Sequence, residues 1–184
     1  LAHGKYLAFL DSDDYWLPHK TAYQVNYLEK NPDDGAVYCQ AYAMNHLGKP
    51  ILRLPYGTAI PQNKITASYV LLNGFALSGS TPMIRKTVFD QIGGFKTNIR
   101  HAEDTEIVIR MLMQGYQIGF VRRPMVWVRS HSYSKSLSID RKTMIDAYLD
   151  HQNVYKSILA ESKNPEILAA ARLSMQRQVI KLLA

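Results

Sequence analysis

The feature that most constrains the fold is an apolar segment near the start of the chain that ends in a cluster of acidic residues. Residues 6–10 are apolar, and Asp-Ser-Asp-Asp follows them directly at positions 11–14. A short unbroken apolar run of this kind predicts a buried strand, most often in a parallel sheet. Open α/β sheets bind their ligands at the carboxyl ends of such strands. The acidic cluster is therefore a candidate ligand site in an α/β fold.

The acidic cluster has two interpretations. Three carboxylates in four positions repel one another, so their charge has to be offset. Because Mg²⁺ typically bridges one or two carboxylates to substrate phosphates, a divalent metal site is one interpretation. The other is a plain turn and helix start, since Asp and Ser favour turns and N-caps. Spacing alone leaves both open.

The composition limits the fold and the compartment. The 184 residues, 47% of them hydrophobic and 20% charged, are typical of one globular domain with a sizeable core. Cys39 is the only cysteine, which excludes an internal disulfide and predicts a reducing compartment, the cytoplasm. No apolar run reaches the ~20 residues of a membrane span. The chain begins at Leu1 rather than Met, and we expect it to be a fragment of a longer protein.

The positive charge is concentrated in one segment. The net charge is +7, and between Arg85 and Lys142 there are eleven Lys and Arg residues against five Asp and Glu residues, a difference of +6. Such a surface suits a phosphorylated ligand, an anionic membrane face or nucleic acid, or it is simply solvated. No nucleic-acid-binding motif accompanies these residues, so we do not expect nucleic acid as a partner.

The rest of the first 138 residues predicts alternating helices and strands. Ala22, Val25 and Leu28 lie at helical spacing, and a small-residue loop at 78–81 precedes a short strand. The further predicted elements are a strand over 36–44, helices over 65–72 and 86–92, a helix opening at 103, and a strand pair over 117–121 and 125–129 that turns at Arg122-Arg123-Pro124.

Two helices are predicted after residue 140. Met144, Tyr148, Tyr155 and Leu159 mark one face of the first, and Asn164-Pro165 supplies an N-cap and a first-turn proline for the second. The apolar stripe of the second helix predicts docking on the core. Because basic residues lie beside that stripe, a membrane-surface or dimer helix is the alternative. We therefore divide the chain into a domain over 1–138 and a helical extension over 139–184.

An ordered set of motifs connects the acidic cluster to a known family. After Asp-Ser-Asp-Asp-Tyr-Trp-Leu-Pro at 11–18 come Gly-Gly-Phe at 93–95, Glu-Asp at 103–104 and Arg-Ser-His at 129–131. Over residues 2–138 this set resembles the family 2 glycosyltransferases of the GT-A fold, which transfer sugars from nucleotide diphosphates. The resemblance implies an α/β, Rossmann-like mixed sheet flanked by helices, present as a partial domain and followed by the C-terminal helical extension.

On the donor side, the resemblance implies a metal site. Asp11-Ser12-Asp13 matches the DxD motif, which holds Mg²⁺ or Mn²⁺ against the donor diphosphate. It makes Asp13 the direct metal ligand, places Asp11 at the metal and nearer the ribose, and gives Asp14 a supporting donor-site role.

The segment after residue 128 adds further donor contacts. Arg129 and His131 match the family's Arg-x-His segment near the donor phosphates. Since Arg grips phosphate bidentately and His ligates metals, we expect Arg129 and Ser134 to bind the donor and His131 to ligate the metal.

On the acceptor side, the resemblance implies a catalytic base. Glu103-Asp104 matches the family's ED motif, in which the aspartate, here Asp104, takes the proton from the acceptor hydroxyl. A strong alternative for these carboxylates is the helix dipole, which favours acidic residues in a first turn. We expect Ser80, His101 and Glu103 to lie on the acceptor side, with Phe95 packed beneath it.

The implied activity is an inverting, metal-dependent transfer from a UDP- or dTDP-sugar to a glycan or lipid-linked acceptor, in bacterial surface polysaccharide synthesis. The basic segment would contact the inner face of the plasma membrane. The first half of the family's domain, which binds the nucleotide base, is missing from this sequence. We therefore expect the activity to belong to a longer parent protein, and the sheet to be open at one edge.

Two other functions remain as alternatives. One is a non-catalytic module that binds a nucleotide-sugar or a glycan. The other is a haloacid-dehalogenase-like phosphatase, which also places Asp-x-Asp after an apolar strand. That family's motif continues with Thr or Val where this chain has Tyr15, and its later Gly-Asp-x-x-x-Asp pair is not found.

Overall fold

The computed structural model describes residues 2–51, 65–74, 79–129 and 141–183. The predicted loop residue Ser78 and the predicted site residues His131 and Ser134 lie outside these ranges. The described elements are β1 (Tyr6–Ala8), β2 (Tyr15–Trp16), α1 (Lys20–Lys30), β3 (Asp34–Met44), α2 (Ala67–Asn73), β4 (Met83–Arg85), α3 (Lys86–Gln91), α4 (Glu103–Met113), β5 (Gln117–Arg129), α5 (Arg141–Glu161) and α6 (Pro165–Leu183).

The strands form one mixed sheet, as predicted. Its order is β1-β4-β3-β5-β2, with β3 and β5 parallel and the other neighbours antiparallel. The β3–β5 ladder runs from Asp34 opposite Gln117 to Met44 opposite Arg129. This long ladder is the centre of the sheet, and its carboxyl end brings Arg129 back to the segment that follows β1.

The first strand differs from its prediction. A buried strand of a parallel sheet was expected, but β1 is an edge strand whose pairing in the described sheet is antiparallel, with β4. Its residues are half-buried, and among the described strands it has a neighbour on one side only. The expected open edge of the sheet is therefore the outer side of β1.

The predicted strand pair around Pro124 is a single strand. Both halves of β5 pair with β3, and the register shifts where Val121 lies opposite Cys39 and Pro124 opposite Gln40. Arg122 and Arg123 are the extra, exposed residues of this bulge. Because β3 is long enough to pair with both halves, no turn is needed, and a bulge is a place where a sheet tolerates proline.

The main hydrophobic cluster lies between the sheet and the later helices. It contains Ile84 of β4, Ile107 and Met111 of α4, and also residues of both C-terminal helices, among them Tyr155 and Ala171. The predicted docking of the last helix on the core is thus confirmed. The division at residue 138 stays a prediction, although α5 and α6 share this core. No helix in the described ranges is long and apolar enough to cross a membrane.

The local start of α6 is as predicted. The side-chain oxygen of Asn164 accepts hydrogen bonds from the backbone N–H groups of Glu166 at 2.9 Å and Ile167 at 3.4 Å. The face that α6 buries, however, is formed by Ala170, Ala171 and Ser174, whereas the apolar Val179 of the same helix is 40% exposed. Small residues at the contact allow α6 to lie close to its neighbours.

The buried face of α1 is partly polar. Lys20, Gln24 and Leu28 are buried, whereas Ala22 of the predicted apolar face is exposed. Lys20 Nζ donates to Gln24 Oε1 at 2.7 Å and lies 4.4 Å from the centre of the Trp16 ring. Gln24 Nε2 donates to the Thr81 carbonyl at 2.8 Å. Burial lowers the pKa of Lys20 from 10.5 to about 8.

This buried lysine predicts a pH-dependent stability. Between pH 8 and 10 the folded protein gives up a proton that the unfolded chain keeps, so the free energy of unfolding rises with pH, by at most about 1.4 kcal/mol per pH unit. Lys20→Met removes this rise, whereas Lys30→Met at the exposed end of α1 preserves it. Urea unfolding at pH 7.5, 8.5 and 9.5 measures the effect. Parallel curves for wild type and Lys20→Met would contradict it.

Candidate functional site

The acidic loop between β1 and β2, residues 11–14, is fixed by hydrogen bonds to Ser80. The Ser80 hydroxyl accepts a hydrogen bond from the Asp11 N–H at 3.0 Å and donates one to Asp14 Oδ2 at 2.6 Å. Trp16 Nε1 donates to the Ser80 carbonyl at 3.0 Å. The hydroxyl of the fully buried Ser80 therefore fixes both ends of the loop.

Arg129, at the end of β5, holds the same loop from the other side. Its backbone N–H donates to Asp14 Oδ1 at 2.9 Å, and its Nε donates to the Asp13 carbonyl at 3.1 Å. The remaining guanidinium nitrogens donate to the His46 carbonyl at 2.8 Å and to the Tyr15 hydroxyl at 2.7 Å. Arg129 and Asp14 therefore organise the loop in this structure, and their binding of the donor stays a prediction.

A cavity of about 200 Å³ lies beside this loop. It brings together Asp11 from the first acidic cluster with Glu103 and Asp104 from the second. An added Cβ on Gly79 would lie 3.6 Å from Asp104 Oδ1 and 3.7 Å from Asp11 Oδ2, so both carboxylates face this glycine. The lining residues are Phe9, Asp11, Tyr38, Gly79, Pro82, Ile84, Phe95, Glu103, Asp104 and Ile107.

Two phenylalanine rings form one wall of the cavity, and a third supports them. Phe9 and Phe95 line it, and their ring centroids are 5.3 Å apart, edge to face. Phe89 packs behind them at 5.8 and 5.6 Å. The turn before Phe95 requires positive φ at Gly93 and Gly94, with values of 81° and 68°, which glycine adopts readily.

The turn that carries Phe95 is tied to α4 by Arg110. The Arg110 guanidinium donates to the carbonyls of Ile92 and Gly94 and forms a two-bond ion pair with Glu106, at 2.8 and 2.6 Å. Glu106 is buried and also lies 3.1 Å from Lys96 Nζ. The helix that carries Asp104 thus also positions the aromatic wall.

Tyr38 is a cavity residue that the sequence did not reveal. It is buried in β3 and lines the cavity together with Asp104. Burial, and to a lesser extent the charge of Asp104, raise the pKa of the Tyr38 phenol above its ordinary value of 10, so the hydroxyl stays neutral. The sequence signal was weak, since a tyrosine in a largely apolar strand is usually a core residue.

Two predicted acceptor-side residues lie elsewhere. Ser80 is fully buried and is not a lining residue of the cavity, because its hydroxyl is used by the acidic loop. His101 is half-buried and also does not line the cavity; its backbone N–H donates to Asp150 of α5 at 2.8 Å. Asp13 is half-buried. His131 and Ser134 lie outside the described residues.

The carboxylates of this site fit a metal ion that is shared with a substrate. Within the described ranges, no group of three or more His, Cys, Asp and Glu side chains could hold a metal ion alone. Mg²⁺ commonly takes only one or two protein carboxylates and completes its octahedron with water and phosphate oxygens. Asp11 is exposed and lines the cavity, which is compatible with such a site.

Comparison with known proteins decides the family. Residues 1–147 match the family described as "Glycosyltransferase like family 2". The chain belongs to this family. The haloacid-dehalogenase-like alternative is thereby set aside.

Two curated relatives extend over almost the whole chain. An uncharacterized glycosyltransferase of Haemophilus influenzae is 28% identical over 174 residues, which cover 91% of this chain and 56% of the relative. One of Rickettsia prowazekii is 26% identical over 166 residues, which cover 90% and 50%. The chain therefore spans about half the length of the curated relatives it matches.

Solved structures confirm the predicted fold class. S. aureus TarS 1–349 in complex with UDP-GlcNAc gives a TM-score of 0.63 at 15% identity and covers 97% of this chain and 48% of that one. The mannosyltransferase PcManGT of Pyrobaculum calidifontis, in complex with GDP-Man and Mn²⁺, gives 0.55 at 16%, covering 99% and 50%. The chain is thus a partial GT-A-like domain, a mixed sheet flanked by helices.

The loop geometry predicts a stability role for Ser80. Ser80→Ala leaves the Asp14 carboxylate and the Asp11 N–H each without a partner that they have now, so we expect the free energy of unfolding to fall by about 1–3 kcal/mol. Ser157→Ala serves as the control: it removes an exposed hydrogen bond to Glu161 and a long one, 3.4 Å, from Lys96 Nζ, so the expected change is below about 0.5 kcal/mol. Urea unfolding compares the two, and equal effects would contradict the role assigned to Ser80.

Proposed function

We propose that this chain supplies the metal-binding and acceptor-binding part of an inverting glycosyltransferase. The enzyme moves a sugar from a nucleotide diphosphate to a hydroxyl of a glycan or lipid-linked acceptor. The observation that carries the proposal is that Asp11 and Asp104, which are far apart in sequence, face one cavity in a chain of family 2.

Asp104 is the proposed base. It takes the proton of the acceptor hydroxyl as that oxygen bonds to the anomeric carbon of the donor sugar. The bond from that carbon to the diphosphate oxygen breaks, and the diphosphate leaves with the electron pair. One displacement from the opposite face inverts the anomeric centre. A base positioned within hydrogen-bond reach contributes roughly 10²–10⁴-fold to such a step.

The neighbouring groups support this role of Asp104. Glu103 lines the same cavity, and Tyr38 presents a neutral phenol to it. The wall formed by Phe9 and Phe95 excludes water from one side and offers an apolar surface on which the face of an acceptor sugar can pack.

Asp11 and Asp13 are the residues proposed to hold Mg²⁺ or Mn²⁺ with the donor diphosphate. When bound, the metal supplies Lewis-acid stabilisation of the charge on the leaving group. Support comes from the neighbours in structure, one of which contains UDP-GlcNAc and the other GDP-Man with Mn²⁺. A UDP- or dTDP-sugar donor and a role in bacterial surface polysaccharide synthesis, at the inner face of the membrane, complete the proposal.

The proposal predicts that donor binding and turnover respond to different residues. In the full-length protein, calorimetric titration with UDP, dTDP and GDP, with and without Mn²⁺, should show metal-dependent binding for at least one nucleotide. Asp13→Asn loses this metal dependence, because it removes a negative oxygen donor. Asp104→Asn keeps it but lowers kcat by about 10²–10⁴-fold, since the amide cannot accept the proton.

The control for this experiment is Asp33→Asn, which neutralises an exposed carboxylate in the loop before β3 and should change neither measurement. Unchanged turnover in Asp104→Asn would contradict its assignment as the base. Metal-dependent nucleotide binding without turnover toward any acceptor would favour the non-catalytic binding module.

A further inference from the structure

A second cavity lies on the other side of the start of α4. Its volume is about 230 Å³, and it is formed by the C-terminal end of α2, Thr105 of α4, and helices α5 and α6. Thr105 directly follows Asp104, which lines the first cavity. Since neighbouring Cα atoms are only about 3.8 Å apart, the two cavities are neighbours across the first turn of α4.

The two cavities differ in charge. Three carboxylates line the first, whereas the lining residues in the described part of the second include no carboxylate. Its basic side chains are Arg177 and His151, and Asn73 and Gln178 add amide groups. A guanidinium with neighbouring hydrogen-bond donors is the arrangement that binds carboxylates and phosphates.

The walls of the second cavity are held in place by internal hydrogen bonds. The buried Ser174 hydroxyl of α6 donates to the Leu71 carbonyl near the end of α2, at 2.6 Å. The His151 ring is fixed by a 2.8 Å hydrogen bond between its Nδ1 and the Ala147 carbonyl. A ligand therefore meets walls that are already formed, which reduces the entropy lost on binding.

We propose that this second cavity binds an anionic sugar residue of the acceptor, one that carries a carboxylate or a phosphate. Arg177 pairs with the anionic group, and the polar groups of Asn73 and Thr105 bind the sugar hydroxyls. The acceptor's reacting hydroxyl then lies in the first cavity, at Asp104. This inference rests on the proposed function and adds the substrate class to it: an acidic or phosphorylated glycan of at least two residues.

The test is NMR titration of the ¹⁵N-labelled protein with simple sugars, following the backbone amides of residues 70–74 and 174–178. The probes are methyl glucoside, methyl glucuronoside, glucose 1-phosphate and inorganic phosphate. We expect saturable shifts at these amides, with at least one anionic sugar binding at least fivefold more tightly than methyl glucoside. Inorganic phosphate should bind at least fivefold more weakly than the tighter of the two anionic sugars. Whichever anionic sugar binds more tightly identifies the acceptor's anion.

Two arginine variants make the test specific. Arg177→Gln abolishes the preference for anionic sugars, and it should fold normally because Arg177 is exposed. Arg172→Gln, an equally exposed arginine of α6 outside the cavity lining, keeps the preference. Equal binding of the neutral sugar and both anionic sugars, absence of saturable shifts at these amides, inorganic phosphate as tight as the tighter anionic sugar, or a preference that survives in Arg177→Gln would each overturn the proposal.

Failure of this inference can be told apart from failure of the proposed function. None of the probes contains a nucleotide or a divalent metal, so their failure leaves the donor-binding and Asp104 results standing. Conversely, if the protein showed no metal-dependent nucleotide binding, the proposed function would be contradicted. Sugar binding in the second cavity could still be measured.

Discussion

The candidate site depends on how the carboxylates of the acidic loop are held. Asp11, Asp13 and Asp14 repel one another, and a loop that keeps them together needs donors at fixed positions. Asp14 receives the Ser80 hydroxyl on one oxygen and the Arg129 N–H on the other. Both oxygens of Asp14 are thus hydrogen-bonded inside the protein, whereas Asp11 lies at the surface, facing the same glycine as Asp104.

A second set of buried charges fixes the aromatic wall of the cavity. Glu106 pairs with Arg110 and Lys96, and Arg110 in turn holds the carbonyls of the turn before Phe95. Buried ion pairs contribute little net stability, because desolvation offsets the attraction. Their consequence here is positional: the aromatic wall and Asp104 both depend on α4, so they keep a fixed relation.

Local sequence signals predicted the elements whose ends are determined locally. The Asn164 cap and Pro165 marked the start of α6, and the helical spacing before Lys30 marked α1. The signals failed where long-range pairing decides. Arg122-Arg123-Pro124 is typical of a turn, but β3 pairs with residues on both sides of it and turns it into a bulge. The polar residues Lys20 and Gln24 are buried because α1 lies on backbone carbonyls that need donors.

The sequence by itself determined the family and the order of its motifs, since these depend on residue types at fixed spacings. It also named Asp11, Glu103 and Asp104, which the structure brings into one cavity. Only the tertiary structure decided that Ser80 is buried behind the loop and that Tyr38 lies beside Asp104. It also decided that Arg177 lines a second cavity, which reaches Thr105, the residue after Asp104. The physical reason is that burial and charge proximity arise between segments distant in the chain, and no local pattern of residues encodes which of these segments will meet.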